Sequence, residues 1–214
     1  MKKFTVVTVI MFAVMLSSTA NAQLFSFGIG GGLTNVLGSE DYTNKISEEG
    51  LGYSTEWNGG VIVKLGLPLV PITPRAFILY HSLNSSEDIV DPLGKGTAIN
   101  SGNVEFSQSI LSVGVGVQYG FIPIPAGVDP YLAIDLLYNK FGEFKQTIAG
   151  NEQTFDGESR FGLGLGVGAE ISLIPVLNLD VLVSYQMMNL VGKEEGESSL
   201  STLTLDAFLL FSFL

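Results

Sequence analysis

The 214-residue chain contains no cysteine and a single histidine, and both absences restrict its chemistry. Without cysteine, disulfide bonds and thiolate-metal sites are excluded, and one histidine cannot build a multi-histidine metal site within one subunit. Basic residues are also scarce, because 10 lysines and arginines stand against 21 acidic residues. Proteins that bind nucleic acid rely on basic patches, so the composition predicts no nucleic-acid partner. We also expect no cofactor.

The first 22 residues have the composition of a secretory signal peptide. Two lysines are followed by a short apolar stretch, and residues 20–22 read Ala-Asn-Ala, which suits cleavage. We predict that residues 1–22 are removed and that residues 23–214 form the mature domain. Loss of the two lysines takes the formal net charge from −11 to −13. The alternative is an uncleaved N-terminal anchor, for which the apolar stretch is short.

No long apolar run follows residue 22, although the chain is hydrophobic overall. The mean hydropathy is +0.40 and 46% of residues are hydrophobic, as in membrane proteins. The apolar residues instead recur at every second position. Only helices and closed barrels satisfy the backbone polar groups in lipid, so this spacing predicts a transmembrane β-barrel.

Eight segments of the chain alternate in this way, and each reaches the 9–11 residues that a tilted membrane strand needs. The segments are 23–36, 57–70, 73–84, 104–121, 129–143, 159–173, 176–190 and 199–213. Short turns marked by proline alternate with longer, acidic loops, which are 37–56, 85–103, 144–158 and 191–198. This asymmetry predicts an up-and-down barrel with both termini in the periplasm and the acidic loops outside.

The segment RFGLGLGVGAEISL, residues 160–173, indicates which face of the strands meets lipid. Glycine occupies 162, 164, 166 and 168, and apolar residues lie between. The polar faces of the other segments are similarly small, with little Lys or Glu, whereas a solvated strand face would carry more charge. We therefore predict that the glycine face lines a narrow lumen, where it relieves crowding, and that the apolar face meets lipid. The alternative is a soluble, lipocalin-like binder with its apolar side chains inside.

An apolar face that meets lipid also predicts two aromatic girdles on that face. The periplasmic girdle comprises Phe25, Phe27, Tyr119, Phe121, Phe211 and Phe213, and the outer girdle comprises Trp57, Tyr80, Tyr138, Phe161 and Tyr185. Three aromatic residues point inward by the same parity and do not fit, namely Phe77, Tyr131 and Phe208.

Together, the leader, the eight alternating segments, the proline-marked turns and the long outer loops resemble the OmpA/OmpX-type outer-membrane barrels. More closely, they resemble the outer membrane protein beta-barrel domain group of Gram-negative bacteria. The resemblance implies an all-β, eight-stranded, antiparallel up-and-down transmembrane β-barrel, monomeric and located in the outer membrane. It implies outer-membrane lipid and the barrel assembly machinery, reached through the C-terminal strand, as partners. Such barrels usually end in an aromatic residue, and here Phe213 is next to last.

Six charged residues have lumen parity, and most lie toward the periplasmic end: Lys64, Arg75, Asp135, Glu170, Asp180 and Asp206. Buried charges need partners, and two bases cannot neutralise four acids, so waters or protonated carboxyls are implied. A polar plug suits a structural or surface-interaction role, with an extracellular partner at loops 37–56 and 85–103. An ion gate suits a small porin-like channel. Only the channel would carry steady current in a planar bilayer.

One stretch, His81-Ser82-Leu83-Asn84, resembles the His-x-Ser-Asn stretch of the outer-membrane lipid A deacylase family, in a different order. Neighbours on a strand point to opposite faces, so His81 cannot activate Ser82. We therefore predict no catalytic residues, and a lipid-modifying enzyme is the less favoured alternative. The acidic runs at 40–41 and 193–197 lack calcium-loop spacing, so we predict no metal site.

Overall fold

The computed structural model describes residues 25–48, 50–67, 70–89, 102–120 and 127–213. The predicted signal peptide and Phe121 lie outside these residues. The strands are β1 (Phe25–Gly38), β2 (Thr55–Leu65), β3 (Ile72–Ile89), β4 (Gly102–Gly120), β5 (Val128–Phe141), β6 (Phe144–Ile148), β7 (Asn151–Phe155), β8 (Ser159–Ile174), β9 (Leu177–Val191) and β10 (Leu200–Phe213). A one-turn helix, α1 (Glu40–Thr43), and a 3-10 turn, Ile46–Glu48, follow β1. Neither of these helices in the described part is long or apolar enough to cross a membrane.

Eight of the strands form a closed antiparallel barrel in the order β1, β2, β3, β4, β5, β8, β9, β10. The barrel closes where β10 pairs with β1, from Phe25 opposite Phe213 to Gly38 opposite Leu200. Phe25 and Phe213 lie at the rim that carries the short turns. The predicted eight-stranded up-and-down barrel is confirmed, and each predicted segment overlaps one barrel strand.

The apolar side chains lie on the outside of the barrel. On β8, Phe161, Leu165 and Val167 are 58%, 46% and 54% exposed, whereas Gly162 and Gly164 between them are buried. The other barrel strands alternate in the same sense. A soluble barrel needs these apolar side chains inside, so the lipocalin-like alternative is wrong.

The glycines of the lumen face make room for large side chains of neighbouring strands. A Cβ atom at Gly168 would lie 2.5 Å from Cζ of Tyr131, and one at Gly114 would overlap the Phe77 ring. Tyr131 and Phe77 are only 1% and 6% exposed because they fill the lumen over these glycines. The inward aromatic residues that do not fit the girdles are therefore part of the barrel filling.

The segment 144–158, predicted as a loop, contains the hairpin of β6 and β7. The hairpin turns at Ala149 and Gly150, whose φ angles are 48° and 83°, as a tight two-residue turn requires. β6 pairs with β4, from Val104 opposite Ile148 to Ser107 opposite Lys145. One face of this hairpin carries Phe144, Ile148 and Phe155, and the other face is polar. The two strands are only five residues long, so the segment lacks the sustained alternation that reveals the barrel strands.

β3 and β4 continue beyond the rim of the barrel. The pairing of β2 with β3 ends at Asn58 opposite His81, whereas β3 and β4 remain paired to Ile89 opposite Gly102. The extended ends of β3 and β4, together with β6 and β7, form a four-stranded sheet that we call the outer sheet.

The loop between β1 and β2 folds inward over the outer end of the lumen. The backbone N–H of Tyr53 donates to the carbonyl of Tyr42 at 3.0 Å, and Tyr53 is 3% exposed. Ile46 and Leu51 pack against the same buried apolar cluster. This part of the predicted loop 37–56 is therefore an ordered cover rather than a free surface loop.

Candidate functional site

The lumen holds a cluster of charges around Lys64 of β2. The Nζ atom lies 2.8 Å from Oδ2 of Asp180 and 3.2 Å from Oε2 of Glu170. Tyr131 donates its hydroxyl to Oδ1 of Asp180 at 2.6 Å, and Asn178 donates to Oε1 of Glu170 at 2.6 Å. One ammonium therefore serves two carboxylates across the barrel, and neutral donors bind their remaining oxygens.

A second ion pair joins Arg75 on β3 to Asp135 on β5. Arg75 donates from Nε to Oδ1 at 2.8 Å and from Nη2 to Oδ2 at 2.5 Å, which is a bidentate geometry. In the register, Gly116 of β4 lies between the two residues. A Cβ atom at Gly116 would overlap Oδ1 of Asp135, so the glycine allows the pair to span β4. Both charged side chains are buried.

The sixth charged residue, Asp206, has no ion-pair partner within the described ranges. Its carboxylate accepts hydrogen bonds from Nδ2 of Asn58 at 2.7 Å and from the hydroxyl of Thr204 at 2.8 Å. Lys64 and Arg75 pair with the other three carboxylates, and neutral donors thus bind the carboxylate of Asp206. The structure brings the other five charges together in two groups, around Lys64 and around Arg75.

The middle of the lumen is filled. The enclosed cavity bounded by Arg75, Asp135 and Asp206 also touches Phe77 and Phe208, and its volume is about 10 Å³. That volume accommodates about one water molecule. Among the described residues, this arrangement holds each buried charge against an opposite charge or neutral donors, and the cavity leaves no room for a solute larger than water.

The His81 stretch has no catalytic geometry. His81 is fully buried, and its Nδ1 atom lies 2.9 Å from the hydroxyl of Thr34. Ser82 lies on the opposite face of β3 and accepts a hydrogen bond from Asn84 at 2.7 Å. The described residues contain no group of three His, Asp or Glu side chains placed to hold a metal ion.

The structure places the described girdle residues on the lipid face. Phe27, Trp57, Tyr80, Tyr119, Tyr138, Phe161, Tyr185, Phe211 and Phe213 are 38% to 58% exposed. Phe25 is half-buried, with its ring 6.2 Å from that of Phe213. In the outer girdle, Tyr138 and Tyr185 donate hydroxyls to Ser159 and Ser201, each at 2.9 Å toward the outer rim. Their polar ends thus point to the headgroup side, as interfacial tyrosines do.

Sequence reasoning missed a clasp at the outer rim, formed by Arg160, Asn189 and Glu197. Arg160 donates from Nε and Nη2 to Oε2 of Glu197 at 2.9 and 2.6 Å, and Asn189 donates to Oε1 at 2.7 Å. Burial alone would raise the pKa of Glu197, but these hydrogen bonds outweigh it and lower that pKa. The clasp fixes the loop after β9, where Ser198 donates to Asp41 of the loop after β1.

We expect the clasp to open in acid. Because the pKa of Glu197 is lowered in the folded protein, its stabilisation is complete above the ordinary carboxyl pKa. It is lost as the pH falls through the lowered folded value. Amide exchange at Leu200, whose N–H donates to Asn189 at 2.8 Å, measures this after correction for intrinsic rates. In E197Q, the amide of Leu200 should exchange quickly already at neutral pH.

The control for this experiment is E195Q, because Glu195 is an exposed carboxylate in the same loop. E195Q should keep the wild-type exchange profile. A wild-type profile that does not change between neutral and acid pH would contradict the expected opening of the clasp.

A closed eight-stranded barrel with an apolar exterior, aromatic girdles and a filled polar lumen defines the class of small outer-membrane barrels. Over residues 4–208 the chain matches the family described as Outer membrane protein beta-barrel domain, and it belongs to that family. It is therefore an outer-membrane protein, as the residue pattern predicts.

Solved structures support the same fold. Neisserial surface protein A is 16% identical, with a TM-score of 0.55, and the match covers 88% of this chain and 97% of that one. A major outer membrane protein from Thermus thermophilus is 17% identical, with a TM-score of 0.55 and coverage of 88% and 99%. The outer membrane protease OmpT of Escherichia coli, at 10% identity and a TM-score of 0.45, shows nothing about catalysis here. No curated protein sequence matches the chain significantly.

Proposed function

We propose that the protein is an integral outer-membrane barrel that acts through surface interaction. The observation that carries this proposal is the outer sheet, in which β3 and β4 extend beyond the barrel rim and β6 and β7 add two further strands. A barrel that only needed to span lipid would not require these strands. The partner is an extended segment of an extracellular protein.

The edge of β7 suits the binding of such a segment. All five residues of β7 are exposed, and within the described residues β7 pairs only with β6. In a two-residue hairpin, the residues beside the turn bond to each other, so the N–H groups of Glu152 and Thr154 face away from β6. An extended segment can add to this edge as a further strand.

The surface contact proposed here lies at the hairpin of β6 and β7 rather than at the loops. The loop 37–56 was predicted to meet the partner, but Ile46, Leu51 and Tyr53 of this loop pack over the lumen. In the second predicted loop, 85–103, residues 90–101 lie outside the described residues. Support for a surface role therefore comes chiefly from β6 and β7.

The filled lumen and the buried histidine argue against the two alternatives. A cavity of about 10 Å³ beside the Arg75–Asp135 pair and Asp206 supports a structural plug rather than a porin-like channel. The opposite directions of His81 and Ser82 count against a lipid-modifying enzyme. A structural role in the envelope remains compatible with the plug, and the experiment below separates it from surface binding.

Export and assembly belong to the same proposal. Export would use the signal peptide at residues 1–22. Delivery to the barrel assembly machinery would use β10, whose residues Phe211 and Phe213 point to lipid. Outer-membrane lipid then surrounds the finished barrel.

Thr154→Pro tests the surface role in cells that lack the native copy. Proline removes the outward N–H of Thr154 without removing a bond to β6, whereas Thr154→Ala keeps that N–H. We expect adhesion to fibronectin-, laminin- or collagen-coated wells to fall about tenfold with T154P and to be unchanged with T154A. SDS-gel mobility verifies that both variants fold equally.

Two results would contradict the surface role. In the first, T154P cells adhere as well as T154A cells, or wild-type cells adhere no better than cells without the protein. In the second, the only defect of cells without the protein is detergent sensitivity, and all variants correct it equally. The second result would establish the structural role instead.

A further inference from the structure

The barrel wall carries an apolar groove on its lipid side, close to the outer girdle. The groove has a volume of about 490 Å³. It runs between Leu136 on β5 and Leu163 on β8, and its lining is almost entirely apolar. Toward its outer end lie the rings of Tyr138 and Phe161, with centroids 5.5 Å apart. Such a concavity in the membrane band can accommodate a single acyl chain.

An irregularity in the ladder between β8 and β9 builds one rim of this groove. Phe161 pairs with Val191 and Leu163 pairs with Met187, so extra residues of β9 bulge out. As a result, Leu190 and Val191, which are adjacent in sequence, are both exposed, by 51% and 60%. A regular strand would turn one of them into the lumen. The bulge therefore supplies two apolar side chains to the lipid side.

In the register, a lysine lies two residue pairs beyond the Tyr138–Phe161 pair that marks the outer end of the groove. Among the lysines and arginines of the eight barrel strands in the described ranges, three are buried and only Lys140 is exposed. Lys140 follows Tyr138 on the same face and is opposite Ser159 in the register. It has no ion-pair partner in the part of the chain that the structure describes. The Lys140 ammonium and the hydrogen-bonded hydroxyls of Tyr138 and Ser159 thus belong to the same outer end of the strand pair, at headgroup level.

We propose that the groove holds one acyl chain of an outer-leaflet lipid whose phosphate is bound by Lys140. A lysine ammonium is a compact point charge that suits a phosphate, and this one stands at the height where tyrosines mark the interface. A second copy of the protein fits less well, because a two-fold contact through this face would bring two Lys140 side chains to one rim. The inference needs only the membrane orientation and is independent of the surface partner.

Native mass spectrometry of the full barrel in detergent tests this site with two lipids that differ only in the phosphate. Dimyristoyl phosphatidic acid should be retained about fivefold better than dimyristoylglycerol, the factor expected for one lysine at the membrane surface. K140Q should abolish this preference. L163W, which fills the groove, should reduce retention of both lipids.

Matched controls make the result specific. K145Q removes another exposed lysine, on β6 outside the barrel wall, and should leave the preference intact. L205W enlarges an exposed apolar residue of β10 outside the groove and should retain both lipids. SDS-gel mobility verifies folding, and K140Q alone decides the matter if L163W does not fold.

Several outcomes would overturn the assignment. The first is equal retention of the two lipids by the wild type. The second is a preference for phosphatidic acid that survives in K140Q or is lost equally in K145Q. The third is an equal loss of lipid retention in L163W and L205W. A dimer that excludes lipid from this face would overturn it as well.

Discussion

Arg75→Met is expected to lower the free energy of unfolding by about 3–5 kcal/mol, because it leaves a buried carboxylate without its partner. Arg75 and Asp135 are 4% and 3% exposed, and two short hydrogen bonds join them. Urea unfolding in lipid vesicles measures the loss. Trp57 is the single tryptophan of the chain and reports the transition by fluorescence.

The double variant R75M/D135L is the matched control, since it removes both charges and leaves none unpaired. We expect it to recover most of the stability, as replacement of buried ion pairs by apolar residues often does. K145M removes the exposed pair with Glu152, at 3.5 Å, and should change stability by less than about 1 kcal/mol. A double variant less stable than R75M would contradict this account of the lumen.

Gly168→Ala is expected to destabilise the barrel by about 1–3 kcal/mol through overpacking. The added Cβ atom would lie 2.5 Å from Cζ of Tyr131 and would push the ring away. The Tyr131 hydroxyl would then lose its 2.6 Å hydrogen bond to Asp180. The same urea unfolding measures the effect, together with the temperature at which the folded band disappears on SDS gels.

Gly164→Ala is the control, on the same strand and the same face. Its Cβ atom would approach no described atom closer than 3.4 Å, an ordinary contact, so we expect little change. In a Y131L background the cost of Gly168→Ala should shrink but not vanish, because the ring is gone while the 2.7 Å approach to the Val181 carbonyl oxygen remains. Equal effects of the two glycine substitutions would show that glycine at 168 is not needed for Tyr131.

Period-two alternation predicted the barrel and its direction because lipid demands an apolar side chain at every second position. The same parity placed Lys64 and Asp135 inside the barrel. The segment of Arg75 is apolar on both faces and took its direction from Tyr80 outward and Arg75 inward. Parity could not predict the partners of these charges, because these depend on the register of all eight strands. The row of Arg75, Gly116 and Asp135 exists only once β3, β4 and β5 are aligned.

Segments outside the membrane band were harder to predict. The hairpin of β6 and β7 has only three apolar residues in its strands, Phe144, Ile148 and Phe155, so hydrophobic periodicity gives too short a signal there. Its single cue in the sequence is the Ala149-Gly150 pair between two short runs with threonine and glutamine. The clasp of Arg160 with Glu197 joins residues that only the finished rim brings together. The bulge that exposes Leu190 and Val191 likewise follows from strand pairing.

The seam between β1 and β10 has a consequence for the order in which the protein is made. The hydroxyl oxygens of Ser26 and Ser212 lie 2.9 Å apart across this seam, although 186 positions separate the two residues in the chain. Most other neighbouring barrel strands are joined by short connections and can zip up locally, but this contact must wait until β10 arrives. Until then β1 and β9 would expose unpaired strand edges that can pair with another chain. The partly folded barrel must therefore be protected in the cell until it closes.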